Sequence, residues 1–290
     1  EDGPVKLTNG TILGGKWQVL RKLGEGGCGA VYLVENNVDG KKAALKAESN
    51  YVEGGSVLKL EVDILRKLRG KKHVCELLGC GRKDTFQYIV MSLLGESLCD
   101  VVKTCNGDIS VSSQLRIGVH LLHGLKQIHD AGFVHRDIKP ANLALGNAAG
   151  GTDPNFVYIL DFGLSRCFVK ELRNGKKEMR KPRRTALFRG TTRYCSADAN
   201  LKRDQNRADD LWSMIYVLVE LRSDLPWNNL NDKDQLAEAK NKADDRQLFE
   251  NCPSQMAEIA VYLRTLTYFS RPDYLKIYNL FMEGMRLAGY

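Results

Sequence analysis

The chain has 290 residues, 43% of them hydrophobic and 27% charged, enough for one large domain or two lobes. Net charge is +8, and the stretch from Lys170 to Arg189, with nine Lys or Arg against two Glu, carries +7 of it, which points to a local basic loop rather than a nucleic-acid face. No run approaches the apolar length of a membrane span, the N-terminal EDGPVKLTNG shows no signal-peptide pattern, and the eight cysteines form no C-x-x-C pair, so the expectation is a cytoplasmic or nuclear setting with reduced thiols, no membrane and no zinc.

The first third alternates short apolar runs with turns. Trp17–Leu20, Ala30–Val34, Ala43–Ala47 and Phe86–Met91 read as strands of an antiparallel sheet. Ser56 can cap an intervening helix whose apolar stripe is Val57, Leu60, Ile64, Leu65 and Leu68, with Gly70 as its stop. After Gly95 the pattern turns helical. Ser112 or Ser113 can cap a helix through His129, with Leu115, Val119, Leu122, Leu125 and Ile128 on one face and Gly132 at its end. The loop from Gly146 to Asn155, GNAAGGTDPN, reads as a flexible surface turn. Another helix runs from about Asp209 to Leu221, and apolar-periodic segments continue to the C-terminus. The simplest organisation is a small sheet lobe joined at about residues 92–95 to a larger helical lobe, with a ligand cleft expected between them.

Four stretches carry chemistry. Gly24-Glu25-Gly26-Gly27-Cys28-Gly29-Ala30-Val31 fits G-x-G-x-x-G-x-V, and it continues as a strand instead of opening a helix. A strand–glycine turn–strand element can lie over phosphates and offer backbone N–H groups. Lys46 ends the strand AALK, and Glu61 follows fifteen residues later in the helix; paired with Glu61, the ammonium would be aimed at phosphate oxygens. Asp161-Phe162-Gly163 follows an apolar strand, where the carboxylate can hold Mg²⁺. In His135-Arg136-Asp137-Ile138-Lys139-Pro140-Ala141-Asn142, set between AGFV and LAL, Asp137 would orient a hydroxyl proton, Lys139 would neutralise a transferring phosphoryl group and Asn142 would complete the metal site. Each element alone is more often a solvated lysine, a turn aspartate or a hairpin glycine. Their joint order and context make coincidence improbable.

From Trp17 to about Tyr278 the chain resembles a protein kinase. Lys139, two residues after Asp137, and Thr191 in Gly190-Thr191-Thr192-Arg193-Tyr194 resemble the serine/threonine type. LLGESL (Leu93–Leu98), GTTRYCS (Gly190–Ser196) and DDLWS (Asp209–Ser213) are similar to the casein kinase 1 group, and GKKHVCELLGCGR (Gly70–Arg82), HRDIKPAN and FRGTTRY (Phe188–Tyr194) look most like the tau-tubulin kinase family. The resemblance implies an α+β bilobal kinase fold: an N-lobe at about 14–91 with an antiparallel sheet and one main helix, a hinge at 92–95, and a mainly helical C-lobe at 96–290. It implies ATP and Mg²⁺ as cofactors. Gly24, Gly26, Gly29, Val31, Ala44, Lys46, Met91 (the gatekeeper), Ser92, Leu94 and Ala144 would line the nucleotide site. Asp137, Lys139, Lys46, Glu61 and Thr191 would serve catalysis, and Asn142 and Asp161 the metal. Arg189 and Arg193 would form an anion site for protein substrates with acidic or phosphorylated segments, such as tau, tubulin or other cytoskeletal proteins, with no nucleic acid, and with the chain a monomer. An activation segment ordered without phosphorylation is also implied. Ser196-Ala197-Asp198 stands where most kinases carry Ala-Pro-Glu, and Asp198 is expected to reach Arg271. The competing reading is a pseudokinase scaffold that presents the basic loop to acidic partners. Retention of Lys46, Glu61, Asp137, Asn142 and Asp161 favours the enzyme. For the outer basic residues Lys170 to Lys177, the bland alternative is a disordered, solvated charge run.

Overall fold

The computed structural model describes residues 4–26, 29–51, 55–107 and 109–290, so Gly27 and Cys28 of the glycine turn lie outside the described residues. The chain divides by packing into two units: 1–96 with 144–163, and 97–143 with 164–290. The boundary thus follows Glu96, and the segment 144–163, placed by the sequence with the second lobe, belongs to the first unit.

The first unit is the sheet lobe. Strands β1 (Ile12–Leu13), β2 (Trp17–Gly26), β3 (Gly29–Asn36), β4 (Lys42–Ser49), β5 (Leu77–Arg82) and β6 (Phe86–Ser92) form one antiparallel sheet in the order β1-β2-β3-β4-β6-β5. Period-2 alternation sends Val19, Ala30, Tyr32, Val34, Ala43, Leu45, Ala47, Tyr88 and Val90 into one buried cluster with Trp17. The other face of β3 and β4, with Val31, Leu33, Ala44 and Lys46, is half-buried. Each fully buried Leu or Val stabilises by about 1.5–3 kcal/mol. A one-residue slip of β4 would expose Leu45 and bury Lys46, so packing of the first face fixes where Lys46 points.

Helix α1 (Leu58–Lys67) buries Leu58, Glu61, Ile64 and Leu65. Leu58 therefore takes the place in the stripe expected of Leu60, which is half-buried. Val57 is the N-cap and makes no side-chain cap bond, while the Ser56 hydroxyl, one residue earlier, accepts from the Leu58 N–H at 3.2 Å and donates to Glu48. The loop 146–155 is a pinned turn, not a flexible one. A Cβ on Gly146 would lie 1.9 Å from the Asp153 carbonyl oxygen, and one on Gly150 would lie 2.3 Å from that of Leu93. The Thr152 hydroxyl accepts from the Asn147 N–H at 2.6 Å, tying the two ends of the turn together.

The second unit is helical: α2 (Leu98–Thr104), α3 (Val111–Asp130), α4 (Ala197–Asn200), α5 (Arg207–Glu220), α6 (Lys233–Lys242), α7 (Asp245–Leu248), α8 (Ser254–Arg264) and α9 (Tyr274–Leu287). The cap of α3 is Ser110, whose hydroxyl accepts from the Ser113 N–H at 3.1 Å; Ser112 and Ser113, the expected caps, lie in the first turn. Leu115, Leu122, Leu125 and Ile128 are buried as expected of that face, while Val119 is only half-buried. Gly118 lets α9 approach, since a Cβ there would lie 2.9 Å from the Phe281 ring. The α5 helix begins at Arg207, two residues before the expected start, because Asn206 and Asp209 close a capping box. Val169–Glu171 and Lys177–Met179 pair as an antiparallel hairpin, so the outer basic residues are not a structureless run. Asp198 does not reach Arg271: Asp198 pairs with Arg203 at 2.6 Å and Arg271 with Asp130 at 3.2 Å. Each is an exposed residue, so the nearer partner wins at little cost. Among the described residues no helix is long and apolar enough to cross a membrane.

Candidate active site

The first unit carries the candidate phosphate-facing and metal-facing residues Lys46, Glu61 and Asp161. Lys46 on β4 donates to Glu61 Oε2 at 2.8 Å and to Asp161 Oδ1 at 3.3 Å. Glu61 also accepts from the Phe162 N–H at 3.0 Å through Oε1, so one buried carboxylate ties the ammonium to the backbone beside Asp161. Burial works to lower the Lys46 pKa, but Glu61 and Asp161 outweigh it and hold the ammonium well above the usual lysine value. Burial pushes the Glu61 carboxyl up, Lys46 pulling the other way. Asp161 sits at φ +63°, a left-handed conformation uncommon for a non-glycine residue, with its side chain 37% exposed. Cross-strand pairing sets Val31 opposite Lys46 and Ala44 opposite Met91, and all four lie on the half-buried face. Ser92 and Ala144 are buried and Leu94 is half-buried; the Ser92 hydroxyl accepts from the Glu76 N–H at 3.1 Å.

The three described glycines of the turn differ in why they are glycine. Gly29 has φ +125°, and a Cβ there would lie 2.2 Å from the Ala47 carbonyl oxygen, so the chain itself demands it. At Gly24 and Gly26 an added Cβ would meet nothing within 4 Å, so the chain's own packing does not require glycine. A bare backbone there suits a phosphate chain approaching closely, and with Lys46 and the accessible Asp161 oxygens the residues fit a nucleotide with its metal.

The second unit carries its own cluster of candidate residues around Asp137. Asp137, buried, accepts from the Thr191 hydroxyl at 2.7 Å and lies 2.8 Å from the Lys139 ammonium. Lys139 donates in turn to the Thr191 hydroxyl at 3.1 Å, closing a three-membered ring. Asn142 donates its amide N–H groups to the Asp137 carbonyl at 2.9 Å and carboxylate at 3.0 Å, which leaves its Oδ1 as a candidate metal ligand. A carboxylate held between a lysine and a threonine is suited to orient a hydroxyl for attack, while the lysine offsets negative charge on the attacked group.

Comparison with known proteins decides the family. Residues 17–279 match the protein kinase domain. The chain belongs to the protein kinase family. It is 42% identical over 289 residues to a Caenorhabditis elegans protein named "Putative serine/threonine-protein kinase", covering 99% of this chain and 83% of that one. It is 39% identical over 273 residues to a Dictyostelium discoideum protein named "Probable serine/threonine-protein kinase", covering 93% of this chain and 54% of that one. It is 34% identical over 235 residues to a C. elegans protein named "Inactive tau-tubulin kinase", covering 78% of this chain and 81% of that one. The family in general works with ATP and Mg²⁺.

Two carboxylates matter to this kinase that sequence reasoning did not assign. Asp210 on α5, fully buried, accepts from the His135 N–H at 2.7 Å and the Arg136 N–H at 2.8 Å, and bonds His129 Nε2 at 2.8 Å. Burial alone would raise its pKa, but the bonds from His129 and the Arg136 backbone hold it below the usual value. It thereby anchors the loop that carries Asp137, with Arg136 at φ +70°. Its one sequence signal is an acidic residue inside an otherwise apolar helix face. Asp204 accepts from Arg183 through the backbone N–H at 3.0 Å and the guanidinium at 2.8 Å, with Arg166 at 3.5 Å. Arg136 completes this cluster, its pKa pushed down to about 10 by burial and then by Arg166 and Arg183.

The expected anion-site residues are not brought together by a common bond. Arg193 is paired with Glu220, which also accepts from the Tyr194 hydroxyl at 2.5 Å. Arg189 is exposed, and its carbonyl accepts from Gln205 at 2.9 Å.

Proposed function

We propose that this kinase transfers the γ-phosphoryl group of ATP to serine or threonine hydroxyls of proteins, as a member of the casein kinase 1 group most like the tau-tubulin kinases. The reading rests above all on Lys46, whose ammonium engages Glu61 and Asp161 at once. When bound, ATP supplies the phosphoryl group, and Mg²⁺, which Asp161 and Asn142 would hold, neutralises its charge. Lys46 would engage phosphate oxygens, kept charged and aimed by Glu61. Asp137 would orient the acceptor hydroxyl, with Thr191 fixing the carboxylate and Lys139 offsetting charge on the transferred group. The scaffold alternative keeps some force from the relative named inactive, but a scaffold has no chemical reason to retain this ring of bonds.

For the acceptor, we infer a preference for acidic or phosphorylated segments, with tau, tubulin and other cytoplasmic cytoskeletal proteins as the substrates to try first. The support is the exposed cations Lys181, Arg184 and Arg189, which precede Gly190-Thr191 in the chain. Arg193 is already paired with Glu220, which offsets part of its charge toward an incoming phosphate. The test is radiolabelled transfer from ATP to casein, tau and tubulin, with peptides in unprimed and phosphoserine-primed forms at low and high salt. Asp161→Ala should lose about 100-fold or more of the rate. Equal transfer by wild type and Asp161→Ala would refute the enzyme, and equal rates on primed and unprimed peptides would refute the preference.

A further inference from the structure

Lys240 on α6 is a buried cation with no carboxylate partner among the described residues. All three of its N–H donors are used: Nζ lies 2.6 Å from the Thr192 carbonyl, 2.7 Å from the Cys195 carbonyl and 2.9 Å from Asn200 Oδ1. The rings of Tyr216 and Trp227 stand 5.6 and 5.5 Å from the ammonium. Burying an ammonium without a counter-ion is costly, and a methionine of similar length would fill the same space without that cost. The position therefore calls for an account beyond packing.

The acceptors supply one. Thr192 and Cys195 belong to a turn in which the Tyr194 and Cys195 N–H groups donate to the Thr191 carbonyl at 3.1 and 3.0 Å. Thr191 at the head of that turn is the residue whose hydroxyl binds Asp137. Trp227 Nε1 donates to the Arg193 carbonyl at 2.9 Å on the same turn. At the other end, Gly190 at φ +113° passes so close to the Arg136 carbonyl that a Cβ would lie 2.4 Å from its oxygen. The turn is thus gripped through its backbone carbonyls from α6 and from Trp227, and seated against the loop that carries Asp137. We propose that Lys240 is a positioning residue for the acceptor side of phosphoryl transfer, clamping the turn 191–195 so that Thr191 stays bonded to Asp137.

The clamp depends on charge. The ammonium has three donors for three acceptors, while a neutral amine has two. Burial pushes the Lys240 pKa down to about 8, with Cys195 pulling it back up. A cavity of about 290 Å³ lined by Asp198, Asp209, Trp212, Lys240 and Arg264 gives water a route to the group. The titratable neighbours are the Cys195 thiol, pushed up to about 11 by burial, the Tyr216 phenol, raised by burial, and the Asp209 carboxyl, pushed up to about 7 by burial; Asp198 and Arg264 line the same cavity. The lowered pKa of Lys240 means that burial opposes the very charge the clamp uses, and the Asp209 carboxyl titrates in the same range, so substitution rather than pH tests the grip.

This inference rests on the phosphotransfer reading, but hydrogen exchange can test the clamp without any activity. In Lys240→Met, protection of the Tyr194 and Cys195 amides should fall about tenfold or more, the scale of a lost charge-assisted hydrogen bond, with the rest of the second unit unchanged. The kcat/KM for peptide should fall by a similar factor while the KM for ATP stays within about twofold. The clamp is overturned if Lys240→Met exchanges like wild type, or if it exchanges faster with unaltered peptide kcat/KM. Should that variant not fold, Lys240→Gln, whose amide has two N–H donors and no charge, takes its place, and wild-type exchange of the two amides in that variant overturns the clamp. A wild-type protein that transfers no phosphate would instead sink the functional reading, leaving the exchange result to decide whether the turn is clamped.

Discussion

Replacing Lys46 with methionine keeps the side-chain length and removes the ammonium held 2.8 Å from Glu61 and 3.3 Å from Asp161. Glu61, with its side chain 2% exposed, is then left with the Phe162 amide at 3.0 Å and no cation. Removing one partner of a buried pair costs about 3–5 kcal/mol while the orphan stays charged. Glu61 can relieve this by taking up a proton. Burial already raises Glu61 in wild type and Lys46 pulls it back; without Lys46 it should be raised further, so the variant matches wild type best at low pH and loses more stability as pH rises through the folded pKa. Lys46 in wild type is itself raised, so its contribution is complete below the unfolded lysine value and stays flat through neutrality. The gap in melting temperature between variant and wild type should therefore be small near pH 5 and grow to about 6–10 °C near pH 8, at roughly 2 °C per kcal/mol for a chain of this size. Phosphoryl transfer should fall about 100- to 1000-fold at either pH. Thermal melts read by circular dichroism at several pH values, beside radiolabelled transfer assays, check both parts. A gap that does not change with pH would refute the buried Glu61 argument, and wild-type turnover in a folded Lys46→Met protein would refute the role of Lys46.

Asp137→Asn should lower kcat about 100- to 10000-fold with little change in the KM for ATP, because the carboxylate is assigned to the acceptor hydroxyl; steady-state kinetics with both substrates varied would read this, and a rise in KM at constant kcat would contradict it. Phosphatase-treated enzyme should keep most of its activity, since Asp204 already supplies an internal anion to Arg183 and Arg166; loss of nearly all activity on treatment, or full activity in Asp204→Ala, would show that the cluster does not order the segment.

How much of this was legible in the sequence depends on the range of the interaction. The strands, and the face on which Lys46 lies, follow from period-2 alternation, which is local. The Lys46–Glu61 pair follows from a strand and a helix joined by a short connection. The cap of α3 was misplaced by two or three residues because Ser110, Ser112 and Ser113 are alike in sequence, and only the backbone bend at Ser110 distinguishes them. The loop 146–155 looked flexible because its composition is rich in glycine. Its Gly146 and Gly150 are instead required by close backbone approach, which composition cannot report. The Asp198–Arg271 pair failed because exposed charges choose partners by a few ångströms of tertiary placement. Asp204 and Asp210 were missed as structural anchors because a buried carboxylate and a solvated one share the same letter.

One relative is named inactive, so family membership and catalysis are separate questions. Strain offers a sharper argument. Arg136 and Asp161, both non-glycine, are held at φ +70° and +63°, in a region that costs of order 1–3 kcal/mol per residue. Each is flanked by a buried carboxylate that bonds the adjoining backbone: Asp210 bonds the His135 and Arg136 amides, and Glu61 bonds the Phe162 amide. Desolvation opposes burying either acid; at Asp210 its bonds outweigh that opposition, while at Glu61 burial prevails and the carboxyl is raised. A binding module has no need of the two strained backbone positions. What the two anchors secure, each within its own unit, is the direction of Asp161 and of Asp137, the carboxylates that the proposed phosphoryl transfer would use.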